Sequence, residues 1–399
     1  MHILFIPSWY ATDLNPTLGS FFRDQALAIN GEGVQTGIIY PEFLSIYGAT
    51  SADLLSHRFQ VETIVDKGIP IMRVKGWLVP TLRRLSKKFW VFQIQRLLKR
   101  YISIYGKPDL IHAQCVHEAG IAADIIKTKL GIPFVITEHF SGYKRRVGYT
   151  RRILSPHQLD QAKRVFMNTD RIMTVSNFLA KDLLPYIGDR QTTVIPNLVD
   201  VNYFTLPETP RPTDSFTFVA ICRLEQEKGI DRLLRAFAKY FSNHEPVSLI
   251  IGGEGSQRGE LETLSANLGI EGKVNFTGLL SRQKVRDVMW KSNALVSSSH
   301  VETFGVTLIE AMSTGLPVIA TNSGGPAEFI NDQVGTLLPA DDEDALGQAM
   351  YETFSKRQTW PELASNIRQY IADRFSEPVI AKQLLDVYRS IVQTREKSQ

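Results

Sequence analysis

Glu302-Thr-Phe-Gly-Val-Thr-Leu-Ile-Glu310-Ala-Met312-Ser-Thr-Gly315-Leu-Pro317-Val-Ile-Ala320-Thr321 is the stretch that decides how this chain folds. Two carboxylates stand eight positions apart across a loop-to-helix junction, and Gly305 sits where the helix would begin. An apolar run through Met312 ends at Gly315, and Pro317–Ala320 reads as a short buried strand. The open N-terminus of such a helix directs unpaired N–H groups and positive dipole outward, a setting that suits phosphate. Eight residues are a little over two helical turns, which would put Glu302 and Glu310 on roughly one face. One carboxylate would reach past the helix mouth and the other would lie along its side. Such a pair can hold hydroxyls at both ends of a diphosphate.

The same strand–helix alternation runs outward through almost the whole chain. Strands are expected at His2–Pro7, Gln35–Tyr40, Leu110–Ala113, Phe134–Thr137, Arg171–Val175 and Thr193–Ile195. A second set is expected at Phe216–Ile221, Val247–Ile251, Val274–Thr277, Ala294–Ser297 and Pro317–Ala320. Strands apolar on both faces and separated by helices imply parallel, doubly wound sheets. Two sets imply two Rossmann-like domains, and 399 residues exceed one ordinary core. The boundary falls at Pro196-Asn197-Leu198-Val199-Asp200, followed by the polar, proline-rich stretch 207–213. The chain then divides into residues 1–200, residues 201–376, and a C-terminal segment 377–399 that opens with an amphipathic helix pattern over Glu377–Gln393. No short-period repeat or low-complexity tract interrupts it.

Composition is that of a globular protein, with 43% apolar and 22% charged residues. Cys115 and Cys222 are far apart, which argues against a disulfide framework or a structural zinc site and fits a reducing compartment. No apolar run approaches the roughly 20 residues needed to span a bilayer. His2–Pro7 lacks the basic flank and small-residue cleavage site of a signal peptide and reads as a first buried strand. The net charge of +4 is unevenly spread: residues 1–200 carry 25 Lys+Arg against 16 Asp+Glu, whereas residues 201–399 carry 20 against 25. A basic first half points to an anionic partner on that side.

Arg223 and Lys228 lie in a strand-to-helix loop before a helix expected at Ile230–Phe241, where open α/β sheets bind ligands. They could clamp a diphosphate, or they could be surface charges paired with Glu225 and Glu227. Gly252-Gly253-Glu254-Gly255-Ser256 forms a second strand-to-loop turn, which lets backbone approach a ligand or simply solves a tight turn. His139, at the end of the Phe134–Thr137 strand, could bond substrate or carry a proton, or be a satisfied structural histidine. Gly19 and Ser20 precede the first helix and could offer N–H groups to phosphate; alternatively Ser20 is a helix cap.

Residues 73–108 hold ten Lys/Arg and no acid, interleaved with Trp77, Phe89, Trp90, Phe92 and Tyr101. Within them Leu82–Ile104 reads as a basic amphipathic helix carrying Arg83, Arg84, Lys87 and Lys88, and Tyr143–Arg152 adds Lys144, Arg145, Arg146, Arg151 and Arg152. That makeup fits contact with anionic lipid, or a helix that packs its apolar stripe and solvates its charges. No helix-turn-helix, zinc module or aromatic platform accompanies the charge, so nucleic acid is not expected as a partner.

Taken in order, these motifs resemble the retaining nucleotide-sugar glycosyltransferases of the GT-B fold, family 4. The most specific segment is Ser297–Ala320, which is similar to that family's Glu–seven–Glu signature; Arg223…Lys228-Gly229 and Pro196-Asn197…Val199-Asp200 match further landmarks. The start, Phe5–Tyr10 with Gly19–Arg23, resembles members that build bacterial surface polysaccharides. The resemblance implies two Rossmann-like domains facing across a cleft, with the C-terminal helix crossing back to the first. It implies that Arg223 and Lys228 neutralise the leaving diphosphate and that Glu310 holds the nucleotide ribose. Glu302 and the N–H groups of Phe304 and Gly305 would orient the donor sugar and phosphate, beside the Glu254 turn. Gly19 would approach the diphosphate from the first domain, and His139 would stand near the sugar. Two departures stand out: Leu198 replaces a usual Gly, and Ser256 replaces a usual Pro.

The implied activity is transfer of a sugar from a nucleotide donor to a glycan or lipid-diphosphate-linked acceptor at the inner face of the cytoplasmic membrane, in exopolysaccharide, O-antigen or capsule assembly. No Asp-x-Asp pair stands out to carry a metal, and no metal or other cofactor is expected. A nucleotide-sugar epimerase would need acid/base carboxylates flanking the sugar and no acceptor surface. A non-catalytic nucleotide-sugar-binding subunit would not need intact Glu302, Glu310, Arg223 and Lys228. A dehydrogenase would need the full dinucleotide fingerprint, which residues 252–259 lack.

Overall fold

The computed structural model describes all residues except 13–17, 48–49, 80, 82, 145–152, 213, 244–245 and 397–399, together with the side chains of 83, 84 and 396. Fourteen strands are seen among the described residues: β1 His2–Pro7, β2 Gln35–Ser45, β3 Val61–Asp66, β4 Ile69–Leu78, β5 Leu110–Gln114, β6 Phe134–Glu138, β7 Arg171–Thr174, β8 Thr192–Val194, β9 Phe216–Ile221, β10 Val247–Gly252, β11 Val274–Gly278, β12 Ala294–Ser297, β13 Val318–Thr321 and β14 Gly335–Leu338. The helices are α1 Ser20–Gly31, α2 Ser51–Ser56, α3 Arg83–Tyr105, α4 Ile121–Leu130, α5 Pro156–Asn168, α6 Asn177–Ile187, α7 Ile230–Phe241, α8 Arg258–Asn267, α9 Arg282–Lys291, α10 Val306–Ser313, α11 Glu343–Ser355, α12 Trp360–Phe375 and α13 Glu377–Glu396. Short π and 3-10 turns connect some of them.

Two sheets result. The first runs β3-β4-β2-β1-β5-β6-β7-β8 and the second β11-β10-β9-β12-β13-β14. Pairing is parallel throughout except between β3 and β4. Every expected strand is present, with ends displaced by a few residues at most places and β2 running on to Ser45. β3, β4 and β14 were not foreseen. β3 and β4 form a hairpin closed by Lys67 and Gly68, both at positive φ, and a lysine in that position gives no turn signal. β4 also takes up Arg73, Lys75 and Trp77, so the basic stretch begins as a strand and becomes α3 only at Arg83.

Helix α7 shows why the chain folds this way. Ile230, Leu233, Leu234, Phe237 and Phe241 recur at helical spacing, and all are buried against the second sheet. Helix α13 leaves the second sheet's side and buries Ile380, Leu384, Leu385 and Tyr388 with Ile3, Phe5, Phe22 and Ile29 of the first. Its Tyr388 hydroxyl lies 2.6 Å from His112 Nδ1, which pins the helix there. At the connection, Val199 forms a bridge to Ser376 and donates its N–H to Phe375 O at 2.8 Å. Leu198 is buried in the first sheet's core, and its φ is not positive, so the usual glycine has no conformational work to do here.

Candidate functional site

In an open parallel sheet, a crevice forms where the strand order reverses. In the first sheet that point lies between β1 and β5, and in the second between β9 and β12. The loops leaving these four strands face one another and enclose a cavity of about 1080 Å³. Its wall brings together Gly19, Ser20 and His139 from the first side with Arg223, Lys228, Glu254, Glu302, Phe304, Gly305 and Glu310 from the second.

Helix α10 opens into this cavity. Its N-cap Gly305 has φ 100°, and no side chain caps the helix. The left-handed φ is what calls for glycine there; a Cβ would also meet Leu308 Cδ1 at 2.7 Å, a side-chain end that can shift. Opposite it, α1 begins after Gly19 at φ 68°, also with no side-chain cap. The capping alternative for Ser20 is therefore not realised. Two uncapped helix mouths present positive dipole ends to one cavity, an arrangement suited to a polyanion.

Glu302 is not helical. Its backbone bridges Gly324, donating to Ser323 O at 2.9 Å and accepting from Gly325 N at 2.9 Å. The helix starts only at Val306, so the eight-residue count along a helix face does not apply. Both glutamates nevertheless line the cavity, because the loop turns back at Gly305.

Lys228 Nζ lies 2.5 Å from Glu302 Oε2. Burial opposes the ammonium charge, but Glu302 outweighs it and holds the lysine above its usual range. Arg223 is exposed and donates to the buried Glu227 at 3.1 Å, which is the pairing the surface-loop alternative foresaw. The Gly252-Gly253 turn has a structural cause: a Cβ on Gly253, at φ 135°, would meet Cys222 O at 1.8 Å. The turn is packed backbone to backbone against the Arg223 loop. Glu254 pairs with Arg258 at the rim.

Glu310 is pushed up to about 8, chiefly by burial; Arg282 draws it down and Asp24 draws it up. Sequence reasoning missed Arg282 and Asp24. Arg282 Nη1 donates to both oxygens of Asp24 at 2.6 and 2.8 Å, and its Nη2 lies 3.9 Å from Asp200. Asp24 and Gln25 occupy the buried face of α1 between Phe22 and Ala26, which is the signal that could have been read. The Asp342-x-Asp344 spacing, also passed over, is spent on structure: Asp342 caps α11 through Ala345 N and Asp344 pairs with Lys239.

On the first side, His139 is buried, with Nε2 2.9 Å from Gln114 Oε1. Burial pushes its pKa down to about 3, so the ring is neutral and a poor proton carrier near neutrality. The preceding Glu138 is fully buried and accepts from Val116 N, His139 N, Phe140 N and the Tyr143 hydroxyl at 2.6–3.0 Å, which pins the turn.

Helix α3 packs Trp90, Ile94, Leu97, Leu98 and Tyr101 inward, as the stripe-packing alternative required. Leu85 and Phe92 remain exposed. Part of the basic charge is neutralised: Arg73 pairs with Glu42 and Glu62, Lys75 with Glu62, and Lys87 with Glu118. Lys87 also lines the cavity, whereas Lys88 is exposed. The side chains of Arg83 and Arg84, and residues Arg145, Arg146, Arg151 and Arg152, lie outside the described residues. No helix among the described residues is long and apolar enough to cross a membrane.

Two family models match the chain in tandem: Glycosyltransferase Family 4 over residues 50–203 and Glycosyl transferases group 1 over residues 204–374. Among similar proteins, one subunit of the Homo sapiens phosphatidylinositol N-acetylglucosaminyltransferase is 28% identical over 68% of this chain, and the chain spans 56% of that protein's length. The Bacillus subtilis (strain 168) glycosyltransferase TuaC, named for teichuronic acid biosynthesis, is 24% identical over 99% of this chain and 100% of its own. Sucrose-phosphate synthase from Thermosynechococcus elongatus superposes with a TM-score of 0.81 at 20% identity, covering 99% of this chain and 100% of that one.

Proposed function

The chain belongs to the family 4 glycosyltransferases of the GT-B fold and acts as a glycosyltransferase on a nucleotide sugar; from that premise we propose that it is a retaining enzyme whose acceptor is a lipid-diphosphate-linked glycan at an anionic membrane surface. The observation that carries this reading is the convergence of the Lys228–Glu302 pair, Glu310 and the open mouths of α1 and α10 on one cavity. Bacterial surface-polysaccharide assembly is the setting we favour, supported by the full-length similarity to TuaC. The human relative, named for a phosphatidylinositol acceptor, supports a lipid-borne one.

Charge dictates the roles. Glycosyl transfer builds positive charge on the sugar and negative charge on the departing diphosphate. Lys228, Arg223 and the N–H groups at Phe304 and Gly305 would stabilise the diphosphate, with Gly19 approaching from the other side. Glu310 would accept hydrogen bonds from the ribose hydroxyls, Glu302 would orient the donor sugar, and Glu254 would border the nucleotide. The acceptor hydroxyl would attack from the face the diphosphate leaves, and the diphosphate would take its proton. This scheme assigns no step to a metal. The basic surface around α3 would hold the acceptor's diphosphate and the membrane.

The test is a panel of uridine, guanosine and adenosine diphosphate sugars, scored for protection against thermal unfolding and for slow hydrolysis, with Glu310→Ala as control. One donor that stabilises the wild type and not the variant supports the reading and names base and sugar together. Equal protection of both proteins by every donor overturns it.

A further inference from the structure

Helix α6 lies between β7 and β8 of the first sheet, yet its opening turn is completed by the second side. Glu328, at the end of the 3-10 turn Gly325–Glu328, accepts from Asn177 N at 3.0 Å, Asn177 Nδ2 at 2.9 Å and Phe178 N at 2.8 Å. A carboxylate at the positive end of a helix satisfies N–H groups that would otherwise have no partner. The next N–H, that of Leu179, donates to Ser176 Oγ at 3.1 Å. A hydroxyl carries one proton. With Leu179 N–H on its lone pair, Ser176 gives that proton to Thr303 O, 2.6 Å away, a carbonyl that only accepts.

Thr303 stands between Glu302 and Phe304, both assigned to the donor. In a trans peptide the C=O and the following N–H point in opposite directions. A hydroxyl that holds Thr303 O therefore also fixes where Phe304 N–H points, which is away from α6. Ser176 is buried, whereas Phe304 and Gly305 line the cavity. Neither of those two N–H groups donates to another atom among the described residues. The preceding peptide is pinned as well, since Glu302 O accepts from Gly325 N at 2.9 Å. A Cβ on Gly325 would lie 2.4 Å from Thr303 O, so the two loops lie backbone on backbone.

We propose that Ser176 and Glu328 are positioning residues: Glu328 seats α6 against the second domain, and the Ser176 hydroxyl so placed fixes the Thr303–Phe304 peptide with its N–H turned toward the departing diphosphate. The inference deepens the glycosyltransferase reading and rests on it for the identity of the ligand. One N–H of the second domain's phosphate site is thereby oriented by the first domain, and the site is complete only with the two domains in this arrangement. An N–H fixed in advance needs no reorganisation as charge builds on the diphosphate. A flipped peptide would present a carbonyl oxygen there and repel that charge.

The test begins with the free protein, which judges the anchor apart from the ligand. The full chain carries ¹³C-carbonyl threonine and ¹⁵N-phenylalanine, which marks the Thr217–Phe218, Thr303–Phe304 and Thr353–Phe354 peptides; Thr303→Ser removes the second signal and so assigns it. Ser176→Ala is expected to move the Thr303 carbonyl upfield through loss of its hydrogen bond, and Ser176→Thr to leave it in place. Glu328→Ala keeps the hydroxyl and removes its seat, and should move the signal in the same direction. An unmoved carbonyl in Ser176→Ala overturns the anchor, and an unmoved carbonyl in Glu328→Ala overturns the part given to Glu328. Turnover, normalised to folded protein, is then measured with the donor that protects the chain from unfolding. Ser176→Ala should lower kcat about 10-fold, a fraction of what outright loss of such a donor costs, with the donor KM within about twofold. Ser176→Thr should restore kcat. A wild-type kcat in a Ser176→Ala protein whose carbonyl has moved overturns the role at the diphosphate. If no nucleotide sugar is turned over, the glycosyltransferase reading fails and that role with it, while the carbonyl signal still decides the anchor.

Discussion

Arg282 and Asp24 join the two sheets' domains through one bidentate contact: Nη1 of the arginine at the start of α9 meets both carboxylate oxygens of the aspartate in α1, at 2.6 and 2.8 Å. Arg282 also faces Asp200 and Glu310 and stacks over Tyr203 at 5.1 Å. One cation therefore serves carboxylates from α1, the connection and α10. Its removal leaves the buried Asp24 with only the longer contact to Arg23 at 3.7 Å, and breaking a buried pair of this kind costs about 3–5 kcal/mol. Arg282→Ala is expected to lower unfolding stability by that order in urea titration. Asp24→Asn should cost less, because Arg282 keeps its other partners. A change below about 1 kcal/mol in Arg282→Ala would show that this clasp does not hold the domains together.

Glu310 gives a pH signature. Its value in the fold, about 8, is above the carboxylate's ordinary 4.5. An acid raised in this way contributes stability that is complete below about pH 4.5 and is lost as pH climbs through 8. Glu310→Gln is uncharged at every pH and lacks this loss. The stability of the variant relative to wild type should therefore rise as pH climbs from about 5 to about 8, with a slope of about 1.4 kcal/mol per pH unit. Melting temperatures of both proteins across that range check it, and a constant difference would show that Glu310 is not held protonated.

The legible part of this site was the part written as local sequence. Gly305 before α10, the loop that carries Arg223 and Lys228, and the parallel strands β1 and β9 all announce themselves within a dozen residues. What escaped was long-range. Arg282 acquires its meaning from Asp24, 258 positions away, and Glu302 pairs with Lys228 across 74. The hairpin of β3 and β4 was hidden because a lysine, not a glycine or asparagine, takes the first left-handed turn position. Within the basic stretch the helix was legible, but its pairing was not, because nothing nearby reveals that Glu42, Glu62 and Glu118 fold onto Arg73, Lys75 and Lys87.

Lys228 and Glu310 should each be needed for turnover. If Lys228 meets the departing diphosphate, Lys228→Ala cuts kcat/KM on the order of 10²-fold or more, the scale for one charge-stabilising group; Glu310→Ala leaves the ribose hydroxyls without their partner and is expected to lower kcat/KM as well. Lys228→Ala should act mainly on kcat. Wild-type rates in both variants, measured with the donor found in the panel, would sink the assignment.

Gly253 should tolerate no side chain. Gly253→Ala places a methyl 1.8 Å from Cys222 O at φ 135°, and the obstruction is backbone that cannot swing aside. Loss of stability of roughly 2 kcal/mol or more is expected, with the Arg223 loop displaced. Gly259→Ala, where nothing lies within 4 Å, is the matched control and should be close to neutral.

Membrane contact is the part of the reading most open to a direct physical test. Trp77, Leu85 and Phe92 are exposed although the inner stripe of α3 is already buried, and Phe89 stacks between Phe43 and Phe92. Apolar groups left on a basic surface are what an anionic bilayer would cover. Each basic residue near such a surface contributes about 1 kcal/mol. Lys87 already has Glu118 at 3.8 Å and should count for less. Reversing Arg83, Arg84, Lys87 and Lys88 to glutamate together is therefore expected to weaken co-sedimentation with phosphatidylglycerol vesicles by more than about 100-fold, to leave binding to neutral vesicles unchanged, and to act in the same direction as high salt on the wild type. Phe92→Ser should weaken both vesicle types alike, since it removes area and no charge. Unchanged sedimentation of the reversal variant would mean that these charges serve an acceptor in solution, and the lipid surface would drop out of the proposal.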